Sequence, residues 1–173
     1  MDPRVALSKR LAHALRHDPG KYGLVLNAQG WAPLADVVAA LRVDVPRIEA
    51  VLALPGKRRY EVDGGRIRAR YGHSVADPVE LPAAVPPEVL FHGTSAAVVP
   101  AILDRGLLPM RRQYVHLSAD RETALVVARR RRGEVALLVV AARAAYGAGV
   151  VFRESGDGVW LADPVPPAYL TVA

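Results

Sequence analysis

A proline-bearing stretch near the middle of the chain constrains the fold most. Asp77 to Pro87 contains Pro78, Pro82, Pro86 and Pro87 and carries no helical or strand period. Proline removes a backbone donor and fixes φ, so such a run reads as an extended linker. It predicts two lobes, residues 1–76 and 88–173, joined by residues 77–87. The patterns on either side differ, as they must if each half has its own core.

In the first half, Leu7, Leu11, Ala14 and Leu15 recur at helical spacing. Asp18-Pro19-Gly20 is a strong breaker, so this helix ends near His17 and leaves Arg16 and His17 beside a turn. Leu24 and Leu26 suggest a short extended piece. Helices are expected from about Pro33 to Leu41 and from about Pro46 to Leu54. Arg59–Val62 and Arg66–Tyr71 then read as strands joined by Asp63-Gly64-Gly65, a hairpin signal. Three helices followed by a hairpin is the pattern of a winged helix. On the second strand, alternation places Ile67, Ala69 and Tyr71 on one face and Arg66, Arg68 and Arg70 on the other. Those arginines suit a solvated surface or a phosphate-binding stripe, and position alone slightly favours the former.

The second half alternates short apolar strands with helices. Strands are expected at Val89–His92, Val115–Leu117, Val135–Val140, Val150–Phe152, Val159–Leu161 and Tyr169–Val172. Val135–Val140 is continuously apolar and is expected to be buried on both faces. Ser95 can cap a helix with Val98, Val99, Ile102 and Leu103 inward, closed by Gly106. A further helix is expected over Ala119–Arg131, with Arg129–Arg132 as its solvated end. Gly156-Asp157-Gly158 marks a turn. The fold class is therefore α+β: a winged-helix lobe and a β-rich lobe.

Half of the 173 residues are apolar (51%), enough for packed cores. No run approaches a membrane span, and no charged-then-apolar leader opens the chain, which points away from membranes and secretion. The absence of cysteine excludes disulfides and thiolate metal sites and fits a reducing cytoplasm. The net charge is +6, and 20 of the 23 basic residues are arginine, the residue suited to forked contact with phosphate. Residues 1–78 carry 13 basic and 8 acidic groups, against 10 and 9 beyond them. A codon bias toward arginine explains the preference for Arg over Lys but not this asymmetry.

Two short histidine tags point to a site. Phe91-His92-Gly93-Thr94 and Val115-His116-Leu117-Ser118 each place a histidine after an apolar residue, with a hydroxyl residue two positions further on. They suggest two strand ends delivering two imidazoles, a glycine backbone and two hydroxyls into one cleft, with Arg111-Arg112 between them in sequence. Such a set suits a polar, anionic ligand.

The motifs together resemble the RNA 2′-phosphotransferase (KptA) family of NAD-dependent tRNA 2′-phosphotransferases. The likeness rests on Leu7-Ser8, Leu15-Arg16-His17, Gly30-Trp31, Lys57-Arg58-Arg59-Tyr60, Ile67-Arg68-Ala69 and Gly72-His73-Ser74. It continues through His92-Gly93-Thr94, Val115-His116-Leu117-Ser118, Val159-Trp160-Leu161 and Pro166-Pro167. Each is weak alone; their order along nearly the whole chain is specific. One departure is Pro55-Gly56-Lys57, where the family usually has Asn-Asp-Lys.

The resemblance implies an N-terminal winged-helix lobe, a C-terminal ADP-ribosyltransferase-like lobe and a cleft between them holding NAD and RNA. It implies a cytoplasmic, monomeric enzyme of tRNA splicing or RNA repair that consumes NAD and uses no metal. An internal RNA 2′-phosphate would attack the nicotinamide-bearing ribose carbon, and the ribose 2″-OH would then attack phosphorus. The products would be 2′-OH RNA, nicotinamide and ADP-ribose 1″,2″-cyclic phosphate.

By the same resemblance, the catalytic residues are Arg16, His17, Arg59 and Arg112. NAD contacts fall on His92, Gly93, Thr94, His116, Leu117 and Ser118, and RNA contacts on Lys57, Arg68, Gly72, His73 and Ser74. His17 would either protonate the departing RNA oxygen or hydrogen-bond the phosphate; both stand open. Many ADP-ribosyltransferases carry a glutamate on a late strand, yet Val159-Trp160-Leu161 has no acid. A phosphate monoester, with a second pKa of about 6, is mostly dianionic near neutrality and needs no general base. Two other readings remain: ADP-ribosylation of terminal RNA or DNA phosphates, and a winged-helix regulator that senses NAD or ADP-ribose without turnover.

Overall fold

The protein is described by a computed structural model covering residues 2–130 and 133–173. The chain divides into two compact units, Met1–Leu81 and Pro82–Ala173, so the division falls inside the proline stretch. That stretch is not free chain. Glu80 N donates to Ala28 O (2.7 Å) and Val79 is buried in the first unit, while Ala84 N donates to Phe152 O (2.8 Å) in the second. Its two ends are thus bound to different units.

In the first unit, helix α1 spans Pro3–Arg16. The Asp2 side chain caps it by accepting from Arg4 N, and Pro3 supplies a preset φ. Leu7, Leu11, Ala14 and Leu15 form its buried stripe. Strand β1 (Trp31–Pro33) leads into α2 (Leu34–Leu41), and α3 (Val45–Leu52) is capped by Asp44. Strands β2 (Tyr60–Asp63) and β3 (Arg66–Ala69) form the expected hairpin. The antiparallel sheet order is β1-β3-β2, with Trp31 opposite Arg68. Leu24 and Leu26 form no strand; β1 takes the place expected of them. Ile67 and Ala69 are fully buried against the helices, so the arginines of β3 lie on the other face.

In the second unit the strands are β4 (Leu90–Ser95), β5 (Val115–Ser118), β6 (Val135–Val140), β7 (Phe152–Gly156), β8 (Val159–Ala162) and β9 (Leu170–Val172). They form one antiparallel sheet, β7-β8-β5-β4-β6-β9. Helices α4 (Val99–Arg105), α5 (Arg121–Ala128) and α6 (Ala142–Gly147) complete the unit. Consecutive Leu137 and Leu138 of β6 are both buried, so both faces of that strand are covered.

Several details differ from expectation. β4 runs on through Gly93, Thr94 and Ser95 because β6 pairs along its whole length. Ser95 makes no side-chain cap, and a 3-10 turn (Ala96–Val98) precedes α4. Val98 and Leu103 are exposed, leaving Val99 and Ile102 to pack inward. α5 ends at Ala128, short of the expected Arg131; Arg131 and Arg132 lie outside the described residues.

Candidate functional site

In the first unit the end of α1 becomes a polar corner. Asp18-Pro19 stops the helix, and His17 stands at its C-cap. Arg16 lies between Tyr60 and Tyr71, its guanidinium carbon 5.5 and 5.2 Å from their ring centres. One of its nitrogens reaches the Arg59 carbonyl at 3.5 Å, which also accepts from Arg70 N at 3.0 Å. Gly72 has φ +87°, and a Cβ there would stand 3.4 Å from the Arg16 guanidinium. Glycine therefore lets the chain pass close to Arg16 in a left-handed conformation.

Ser74 N donates to Arg16 O (2.8 Å), and Ser74 Oγ lies 2.7 Å from His17 Nδ1. The backbone of one helical residue thus fixes the serine that holds the next residue's imidazole. The Ser74 hydroxyl sets the orientation of the His17 ring. A groove of about 590 Å³ opens beside His17, lined by Leu24, Val25, Ala28, Val75 and Val79 among others.

Arg16, His17, Gly72 and Ser74 are therefore brought together, with the Arg59 backbone beside them. His73 belongs to the same corner but is 3% exposed, and its Nε2 stands against Gly30. Burial, followed by the positive fields of Arg16, His17 and Arg68, lowers its pKa to about 4. The buried neutral imidazole supports the corner from behind, and Gly72 is buried as well. Lys57 lines a small cavity of about 30 Å³ with Arg58, Arg59, Ser8 and Tyr60. Gly56 before it has φ +101°, so glycine builds the turn where the family pattern differs.

Arg68 is held on two sides. It pairs with Glu61 at 2.8 Å and lies over Trp31, 4.5 Å from the ring centre. Its side chain keeps 22% exposure, so the strand face is neither simply solvated nor a bare cationic stripe.

In the second unit the two histidine tags lie on neighbouring strands. β4 and β5 share a single register pair, Phe91 with Ser118, whereas β5 pairs with β8 over its whole length. Where the two strands part, His92 Nδ1 takes the place of a backbone donor, 2.9 Å from the His116 carbonyl. His116 Nδ1 is in turn 2.9 Å from the Tyr114 carbonyl. A carbonyl can only accept, so both rings carry hydrogen on Nδ1, and in each neutral ring Nε2 is the basic nitrogen.

Thr94 and Ser118 are buried, and Leu117 points into the core. Leu117 can therefore meet a ligand only through its backbone. Gly93 has a packing reason of its own: a Cβ would lie 1.9 Å from the Ala124 carbonyl of α5. Arg112 is exposed in the loop before β5, its N–H bonded to Pro109 O at 3.0 Å. β8 carries no acid and is buried throughout; the exposed acid nearby is Glu154 of β7, opposite Trp160.

Sequence missed Tyr60 and Tyr71 as the walls around Arg16, and Trp31 as the ring under Arg68. Alternation had turned Tyr71 inward, which was the available signal. Among the described residues no cluster of His, Asp or Glu could hold a metal ion, and no helix is long and apolar enough to cross a membrane.

An α+β chain with an Arg-His corner in one unit and two anchored imidazoles in the other belongs to a recognisable class. Residues 2–164 match the model of the RNA 2′-phosphotransferase, Tpt1 / KptA family, and the chain belongs to that family. It is 43% identical to a probable RNA 2′-phosphotransferase of Acetivibrio thermocellus, covering 95% of this chain and 94% of that protein. Identity is 45% to a probable RNA 2′-phosphotransferase of Streptomyces griseus, over 98% of both chains. The likeness extends to Pyrobaculum aerophilum, where a protein of the same name is 44% identical over 96% of this chain and 80% of its own length.

Proposed function

We propose that this chain is an NAD-dependent RNA 2′-phosphotransferase. The observation that carries the reading is the family match across residues 2–164, a span containing every residue assigned below. The first unit is read as a winged helix, supported by its order α1-β1-α2-α3-β2-β3 and three-stranded antiparallel sheet. The second is read as an ADP-ribosyltransferase-like unit, supported by two adjacent strands that part beside two fixed imidazoles.

The reaction runs in two steps. An oxygen of the RNA 2′-phosphate attacks the nicotinamide-bearing ribose carbon of NAD; the carbon–nitrogen bond breaks and nicotinamide leaves. The ribose 2″-OH then attacks phosphorus, and the bond to the RNA 2′-oxygen breaks. RNA departs as the 2′-alcohol, and the phosphate leaves as ADP-ribose 1″,2″-cyclic phosphate. The nucleophile of the first step is already anionic, so the protein's task is to hold it in line and offset its charge.

Arg16, Arg59 and Arg112 supply that charge, with Lys57, Arg68, Gly72, His73 and Ser74 on the RNA side. His17 either protonates the departing RNA oxygen or hydrogen-bonds the phosphate. His92 and His116 are assigned to the NAD ribose, while Gly93, Thr94, Leu117 and Ser118 shape that pocket. The absence of an acid on β8 suits a phosphate acceptor, which needs no deprotonation.

The test is incubation of a 2′-phosphorylated oligoribonucleotide with NAD, with products resolved by mass. Loss of phosphate together with ADP-ribose cyclic phosphate is expected. A stable ADP-ribose adduct on terminal phosphates, without cyclic product, would replace this reading with the capping reaction. RNA or DNA binding without nicotinamide release would replace it with a regulator.

A further inference from the structure

The exposed face of the first unit's sheet carries a second feature. Trp31 lies under two guanidiniums, with Arg68 at 4.5 Å and Arg66 at 5.3 Å from its ring centre. The Trp31 backbone is well fixed: its N–H donates to Asn27 Oδ1 at 2.9 Å, and Trp31 pairs with Arg68 across the sheet. Arg68 is held further by Glu61 Oε2 at 2.8 Å and by the Gln29 carbonyl at 3.4 Å. Arg66 is exposed and makes no ion pair among the described residues; its described partner is the Trp31 ring.

Three properties follow. The Trp31–Arg68 stack is rigid and flat, because salt bridge and ring lock the guanidinium plane. Glu61 balances one positive charge and leaves that of Arg66 in surplus. The shelf also adjoins the polar corner, since Gly30, next to Trp31, lies against His73 Nε2. Flat guanidinium and aromatic faces take the face of an unpaired base, and a neighbouring surplus cation takes its phosphate. A duplex hides its base faces in its own stack and cannot use such a shelf.

We propose that Trp31, Arg66 and Arg68 form a subsite for an unpaired nucleotide flanking the 2′-phosphorylated one, its base stacked on the indole–guanidinium shelf and its phosphate on Arg66. The inference rests on the RNA-processing reading above and specifies the substrate: the 2′-phosphate lies in or beside a single-stranded segment.

The test needs neither NAD nor a 2′-phosphate, so it can succeed or fail apart from the reaction. The chain has two tryptophans, and Trp160 is buried at 8% exposure. Tryptophan emission is followed while an unmodified single-stranded oligoribonucleotide is added to the full chain. Saturable quenching is expected, abolished in Trp31→Phe and weakened about threefold to tenfold in Arg66→Ala, with a salt slope smaller by about one. Arg66→Ala changes an exposed side chain and keeps the test open if Trp31→Phe fails to fold. A blunt-ended RNA duplex should not quench. Absence of quenching, quenching that survives in Trp31→Phe, unchanged affinity in Arg66→Ala, or equal quenching by the duplex would overturn the proposal.

Discussion

His92 Nδ1 lies 2.9 Å from the carbonyl oxygen of His116, so the first histidine tag is tied to the backbone of the second. The bond fixes the ring's tautomer and its angle where β4 and β5 part. Replacing His92 with alanine should therefore raise the KM for NAD about tenfold or more, the worth of a well-placed polar contact. Steady-state kinetics with NAD varied will measure it. Unchanged NAD dependence would count against the role given to His92.

Ser74 should act through His17. The hydroxyl 2.7 Å from Nδ1 orients the ring without touching the reacting bond in the proposed chemistry. Ser74→Ala should lower kcat about threefold to tenfold and displace the pH-rate profile, while stability changes by no more than about 0.5 kcal/mol because the site is exposed. Ser74→Thr should restore the profile. A profile that coincides with that of the parent protein would remove Ser74 from the account.

Gly93 illustrates what the sequence can and cannot reveal. The tag His92-Gly93-Thr94 was legible as a strand-end site, but the reason for its glycine was not. That reason is the α5 backbone, some thirty residues further along the chain, which leaves no room for a Cβ beside the Ala124 carbonyl. Gly93→Ala should destabilise the second unit by about 3 kcal/mol or more, as overpacking against a fixed backbone does. Urea unfolding of the variant gives the value, and a loss below about 0.5 kcal/mol would show that α5 can move aside.

Elsewhere, local pattern sufficed where an element carries its own signal. α1, the β2-β3 hairpin and the Gly156-Asp157-Gly158 turn fall where periodicity and turn residues place them. The failures share one cause. β1 is three residues long and owes its existence to pairing with β3, so no alternation marks it. β4 continues past His92 because β6 lies beside it, although Gly93-Thr94-Ser95 reads locally as a turn. The Arg16-His17-Ser74 corner joins residues 57 apart, which no spacing rule anticipates.

His73 makes the pH dependence of stability calculable in sign. Its pKa falls from 6.5 to about 4 on folding, so the unfolded chain binds the proton more readily. The contribution is fully present above about pH 6.5 and is lost as pH falls toward 4. Its full size is about 3 kcal/mol. In His73→Gln, which cannot titrate, the slope of unfolding free energy between those pH values should flatten relative to the parent. Denaturant melts at pH 7 and pH 5 compare them, and parallel slopes would show that the burial of His73 is not what destabilises the acid form.

The central claim is that Arg59 and Arg112 are each required for the proposed NAD-dependent transfer. Single-turnover removal of the 2′-phosphate by Arg59→Ala and by Arg112→Ala tests it most directly, with thermal melting of each variant alongside. Both side chains are exposed, so folding should change by only about 0.5 kcal/mol while the rate falls about a hundredfold or more. A variant that melts normally and still transfers phosphate at close to the parent rate would contradict the claim.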